Sequence, residues 1–326
     1  MKRLIFKITA ITVVVFIALF TAIIWMASNQ LLYPSFKEIP PRFTDCSPEG
    51  EKLWGKGCGN LRITKQFKFN EITVPSTNGY PLPGWLIRSA ENGYGNAKGA
   101  IMLVHGGGGD RREETNYIAY FLKRQLDVLT FDLGCSGEAP CPVPGLTYGA
   151  RESRDVLSAY LYLTARYDNI YAMGTSMGAS AILIGMPQMP NLKAVIAENP
   201  MASFRKLIIE TPASRSAPAW FLDAMLKVTM LRGKFDDLQS AETSLKLISH
   251  IPILFIQSKK DHIIPFESTQ KLAMVYHGPK TLWLADEGDH AAVWNAAPSL
   301  YERQLTIFLD SVSLAARWGM KSKTIQ

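Results

Sequence analysis

The sequence is poor in several things. Four cysteines among 326 residues are too few for a disulfide scaffold. Glycine and proline, at 24 and 19, fall short of collagen-like or low-complexity character. No segment repeats at a fixed period and no block of like charge occurs, which excludes solenoids and acidic tails. Charged residues make up 19% against 47% hydrophobic, so there is ample material for a buried core and the chain is not disordered. The length suits one large or two small domains. The net charge of +7 is modest and scattered. It hints at contact with an anionic surface and gives no ground for nucleic-acid binding.

Long apolar runs are equally scarce, because there is one. Residues 8–27 form an uncharged run of 20, dominated by Val, Ile, Phe, Leu and Ala. At ~1.5 Å per residue it spans roughly 30 Å, the thickness of a bilayer's hydrocarbon. Lys2, Arg3 and Lys7 precede it, so the N-terminus is expected to stay cytoplasmic and the rest to lie outside, in the periplasm if the cell is bacterial. The rival is a cleaved signal peptide, which needs a shorter apolar region and a small-x-small site. Here the run closes on Ile24-Trp25-Met26-Ala27 with no Ala-x-Ala, and Trp25 suits an interfacial anchor. A single-pass anchor over residues 1–28 is the expectation. Residues 29–65, rich in Pro, Gly and Cys and without clear periodicity, read as a juxtamembrane linker or arm.

The four cysteines allow three connectivities, and sequence cannot choose among them. Two local pairs, Cys46 with Cys58 and Cys135 with Cys141, are the simplest arrangement, and an oxidising compartment would permit it. Four free thiols are the alternative. No Cys-x-x-Cys or histidine stands at ligand spacing, so no metal site is expected.

From Gln66 the pattern changes. Residues 66–74 and 80–87 flank Ser76-Thr-Asn-Gly79 and read as an antiparallel hairpin. Apolar runs at 100–104, 128–131, 170–173, 194–197, 253–257 and 281–284 read as strands. Residues 113–124, 150–165, 176–185, 267–276 and 298–312 read as helices. Such alternation predicts an α/β architecture with a mostly parallel sheet covered on both faces. Residues 66–320 are assigned to this domain. One stretch breaks the alternation: about 200–248, largely helical, reads as a cap. Its clearest helix runs from Pro218 to Arg232, with Pro218 in the first turn and Gly233 just past the end. Trp220, Phe221, Ala224, Met225, Val228 and Leu231 form its predicted apolar face, which would pack on the core or roof a pocket.

Gly174-Thr-Ser-Met-Gly178 matches Gly-x-Ser-x-Gly between a strand and a helix. A nucleophile on that tight turn needs neighbours without bulk, which Gly174 and Gly178 supply. His105-Gly-Gly-Gly-Gly109 follows another strand. A glycine run there lets backbone N–H groups turn inward, and two N–H donors on a developing oxyanion contribute ~3–4 kcal/mol each. Met177 is one expected donor. Gly107, with Gly106 as the lesser candidate, is the other. A phosphate loop is excluded, since no Gly-Lys-Ser/Thr and no dinucleotide fingerprint is present. His105 reads as a loop-orienting residue. For the base, His290 in Glu287-Gly-Asp-His290 follows the last strand, whereas His250 precedes a strand and His277 ends a helix. For the acid, Asp261 follows the strand at 253–257, with Asp286 and Asp289 as fallbacks. Ser176, Asp261 and His290 thus all emerge at carboxyl ends of strands.

These motifs, together with Phe131-Asp-Leu-Gly-Cys-Ser-Gly137, resemble the α/β-hydrolase superfamily over residues 66–312, and within it the serine-aminopeptidase-like bacterial hydrolases. Two departures stand near the expected mouth: Gly-Cys-Ser-Gly in place of Gly-x-Gly, and an unusually pure glycine run. The resemblance implies Ser176 as nucleophile, His290 as base and Asp261 as acid, with no cofactor. The expected activity is hydrolysis of a carboxylic ester, small or lipid-like. Alternatives are a peptidase or amidase, or a non-catalytic scaffold on the same fold.

Overall fold

The computed structural model describes residues 2–36, 46–143, 145–211, 214 and 216–317. Eight strands form one sheet: β1 (Asn70–Pro75), β2 (Pro81–Ile87), β3 (Gly99–Val104), β4 (Leu126–Phe131), β5 (Ile170–Thr175), β6 (Leu192–Glu198), β7 (Ile253–Ser258) and β8 (Lys280–Ala285). Their order is β1-β2-β4-β3-β5-β6-β7-β8. The hairpin β1–β2 and the β2–β4 pair are antiparallel and all other pairs are parallel. Strands β3, β4 and β7 are buried along their whole length. That is why they read as continuous apolar runs, while the edge strand β1 is exposed at most positions.

Each face of the sheet carries its own core. One holds Val104, Leu129, Val156, Ile182, Phe255 and Leu272, under α5 (Glu152–Thr164), α6 (Met177–Gly185) and α10 (Phe266–Val275). The other holds Trp85, Ile101, Phe121, Ile196, Tyr301 and Leu305, under α4 (Ile118–Lys123) and α12 (Pro298–Arg317). The expected helix over 113–124 is a 3-10 turn, Glu113–Tyr117, followed by α4. The turn tightens because Thr115 bonds Arg112 O through both its N–H and its hydroxyl.

The N-terminal regions depart from the expectation. Helix α1 runs Lys2–Leu32, past the expected boundary at residue 28. Its end belongs to the domain: Ile24, Ser28 and Leu32 are buried, and Leu146 N–H donates to Leu32 O at 2.8 Å. The expected arm 29–65 holds short helices, α2 (Pro48–Trp54) and α3 (Leu61–Thr64), and a 3-10 turn at Lys56–Gly59. Residues 37–45 of that arm, and 318–320 of the expected domain, lie outside the described residues. Disulfides join Cys46 to Cys58 and Cys135 to Cys141.

The cap is smaller and differently packed than expected. It comprises α7 (Phe204–Ile209) and α8 (Ala219–Gly233); residues 212, 213 and 215 lie outside the described residues. The last helix of the expected cap, α9 (Ala241–Leu245), places Ala241 and Leu245 in the main core. Pro218 caps α8 rather than filling its first turn, and Gly233 is its last residue, with Lys234 taking the left-handed conformation. Gly233 is needed for a close approach: a Cβ there would lie 2.8 Å from Leu32 and 2.7 Å from Phe235. The buried row of α8 is Met225, Leu226, Thr229 and Gly233. Trp220 and Leu231 are exposed, so the expected apolar face is rotated. It rotates because α1, which no local periodicity reveals, occupies one flank of α8.

Candidate active site

Strand β5 runs straight into α6, and Ser176 sits at the junction with φ 54° and ψ −116°. A non-glycine residue there is strained. The turn is held by Ser176 N–H donating to Glu198 O at 2.8 Å. Neither flanking glycine has room for a side chain. A Cβ at Gly178 would lie 2.1 Å from Val104 O, and one at Gly174 would lie 2.7 Å from Gly178 C.

The structure brings together the three residues singled out from the sequence. His290 Nε2 lies 2.9 Å from Ser176 Oγ, and His290 Nδ1 lies 2.8 Å from Asp261 Oδ2. With the Nδ1 proton facing Asp261, Nε2 is left to accept from the serine hydroxyl. Asp261 is held at both oxygens. Oδ1 accepts from Ile263 N–H and Ile264 N–H, both at 2.8 Å, and Oδ2 accepts from Asn199 Nδ2 at 2.6 Å and Gln257 Nε2 at 2.9 Å. Burial would raise the Asp261 carboxyl, but the His290 hydrogen bond and charge, with the two backbone donors, bring it below the ordinary range. The fallback acids are engaged elsewhere, Asp286 with Lys259 and Asp289 with His262.

The glycine loop lies against the start of α6. A Cβ on Gly107 would stand 3.8 Å from Met177 Cβ, so the two expected oxyanion donors are neighbours. The N–H of Gly106 donates to Glu113 Oε2 at 2.7 Å, which removes Gly106 as an alternative. His105 is buried and orients the loop: Leu133 N–H donates to its Nε2 at 3.1 Å, and its Nδ1 lies 2.8 Å from Gly106 O. Two residues past the loop stands Arg111, fully buried, whose guanidinium pairs with Asp132 at 3.0 Å and with Glu138. Asp132 belongs to the motif after β4, which thus acts as a brace. The chain just past α1 also reaches the loop. Phe36 packs at Gly108, and Leu146, bonded to Leu32, packs at Gly107.

Beneath the elbow lie three acidic side chains. Burial pushes Glu113 up to about 7, against the pull of the Gly106 N–H. Burial and the charges of Glu113 and Glu198 hold Glu114 well above the carboxylate range. Glu198 is raised by burial despite hydrogen bonds from Tyr301 at 2.5 Å and Tyr117 at 3.3 Å. Among the described residues no three His, Cys, Asp or Glu side chains converge as metal ligands.

Asn199, Gln257, Glu113 and Arg111 escaped the sequence reading. Gln257 left a signal, as a polar residue inside an apolar strand, and so did Asn199, at the same sheet edge as Asp261. Glu113 and Arg111 left none.

The fold recurs in solved proteins. The Pyrococcus furiosus esterase Pf2001 superposes with TM-score 0.60 at 18% identity, covering 83% of this chain and 96% of that one. The chain has the α/β-hydrolase fold. Porphyromonas gingivalis dipeptidyl peptidase 4 shares this fold with TM-score 0.56 at 14% identity, covering 78% of this chain and 38% of that much longer one. In sequence, the chain is 29% identical over 262 residues to the uncharacterized protein YqkD of Bacillus subtilis, covering 76% of this chain and 82% of that one. No family model matches.

Proposed function

We propose that the chain is a membrane-anchored serine hydrolase that cleaves carboxylic esters. The observation that carries this reading is the hydrogen-bonded line Ser176–His290–Asp261 on a strained strand-to-helix turn. Ser176 Oγ attacks the acyl carbon while His290 Nε2 takes its proton, and Asp261 holds the ring and stabilises the imidazolium. The N–H groups of Gly107 and Met177 receive the oxyanion. His290 then returns the proton to the departing alcohol. Water, activated by the same imidazole, releases the acid from the acyl-enzyme. A lipid-like acyl substrate is favoured because α1 is long and apolar enough to cross a membrane and the chain just past its end, at Phe36, packs on the oxyanion loop. Lys2, Arg3 and Lys7 ahead of the apolar run favour a cytoplasmic N-terminus and a domain outside, a side on which two disulfides would be stable.

The test is a series of p-nitrophenyl esters, acetate to palmitate, with full-length protein in detergent and Ser176→Ala as control. Hydrolysis that disappears in Ser176→Ala supports the reading. Undiminished turnover in Ser176→Ala overturns it. Turnover of aminoacyl amides but of no ester moves the assignment to a peptidase.

A further inference from the structure

Helices α1 and α8 lie side by side and run in the same direction. Phe20 meets Trp220 with ring centroids 5.6 Å apart. Ile24 packs in one cluster with Met225 and Leu226. Further along, the Arg232 guanidinium sits 3.7 Å from the centroid of the Trp25 ring. It donates to Trp25 O at 3.1 Å, Ser28 Oγ at 2.9 Å and Asn29 Oδ1 at 2.9 Å. Gly233 then closes on Leu32.

This pairing fixes the level of α8 relative to any membrane that α1 crosses, and the inference rests on that membrane reading. With residues 8–27 across the hydrocarbon, Phe20 lies about 10 Å inward from Ala27 along the helix axis. Trp220 lies beside it, and is 61% exposed. A solvated domain surface has no place at that depth. The basic residues of α8 stand toward its carboxyl end. Its one acid, Asp223, a turn nearer the headgroups than Trp220, is ion-paired with Arg205 of α7, both side chains about half exposed. Lys227 is exposed, one to two turns nearer the headgroups, which its long stem can reach. Arg232 and Lys234 follow at the end level with Asn29. Trp220 and Ala224 share one side of the helix with Lys227 and Leu231; of these only Trp220 and Ala224 lie at hydrocarbon depth, and Leu231, beside Arg232, is at the level of the headgroups.

We propose that the amino-terminal half of α8 is embedded in the leaflet that adjoins the domain, making the cap a second membrane-bound element beside α1. The occupant of its exposed apolar side is lipid. The oxyanion loop, touched by Leu32-bonded Leu146 and by Phe36, is then held just above the headgroups, where a lipid ester can reach Ser176 without crossing bulk water.

The experiment uses full-length protein in phosphatidylcholine vesicles with and without bromine on the acyl chains. Tryptophan emission of the wild type is compared with Trp220→Phe and Trp25→Phe, so that each difference isolates one ring; Trp220→Tyr gives a second, independent subtraction. Loss of both the Trp25 and the Trp220 components in brominated vesicles is the expected result. Loss of the Trp25 component alone overturns the embedding of α8 and leaves the anchor standing. Loss of neither overturns the membrane reading of α1, and this inference with it.

Discussion

Asp261 is the most heavily bonded side chain at the site, with five donors on its two oxygens. Those bonds aim one lone pair at His290 Nδ1 and keep the carboxylate ionised. Asp261→Asn offers an amide in place of a charge and is expected to lower kcat on the order of 10⁴-fold, measured by steady-state ester hydrolysis. Asn199 acts one step further out. It holds Asp261 Oδ2 from a left-handed backbone position, φ 51°, which asparagine tolerates better than most residues. Asn199→Ala leaves Gln257 and the backbone donors in place, so the carboxylate loosens without being lost. A fall of up to about 100-fold in kcat with little change in KM is expected.

At the scale of elements, the site is a meeting of four sheet-edge turns with a brace. The elbow after β5, the loop after β3, the turn after β7 and the loop after β8 converge because parallel neighbours all end at the same edge. The loop after β4 braces this assembly through Asp132 and Arg111. The Cys135–Cys141 disulfide closes that bracing loop. The ring is small, so the entropy removed from the unfolded chain is limited. Replacing both cysteines with serine is expected to cost about 2 kcal/mol, read from urea unfolding of the full chain. Helix α8 shows the opposite case, an element whose place is set by another. Its buried row faces α1 and α7.

At the scale of the whole molecule, the three acidic groups beneath the elbow make stability depend on pH. An ordinary glutamate releases its proton near 4.5, whereas Glu113 holds its proton up to about 7, and Glu114 and Glu198 are shifted the same way. Across that window the folded chain binds more protons than the unfolded one, so stability falls as pH rises. The thermal midpoint is therefore expected to drop between about pH 5 and pH 8. Glu113→Gln keeps an acceptor for Gly106 N–H but cannot ionise, and is expected to flatten part of that slope. A slope unchanged by the substitution would refute the role of Glu113.

Much of this molecule can be read along the chain, because its strongest signals are local. Buried parallel strands must be apolar on both faces, a tight strand-to-helix turn must carry small neighbours, and a helix able to cross a membrane must be long and uncharged. From such constraints Ser176, Asp261, His290, Gly107 and Met177 could each be placed at one edge of a sheet. The relation between α1 and the cap could not be read that way. It depends on contacts across some two hundred residues, Phe20 to Trp220 and Trp25 to Arg232, and no period within α8 distinguishes a face packed on the core from one packed on α1. The same holds for Glu113 and Arg111. A charged side chain in a loop reads as solvated until the fold closes over it, and burial, which decides its proton and its partner, is a property of the assembled chain.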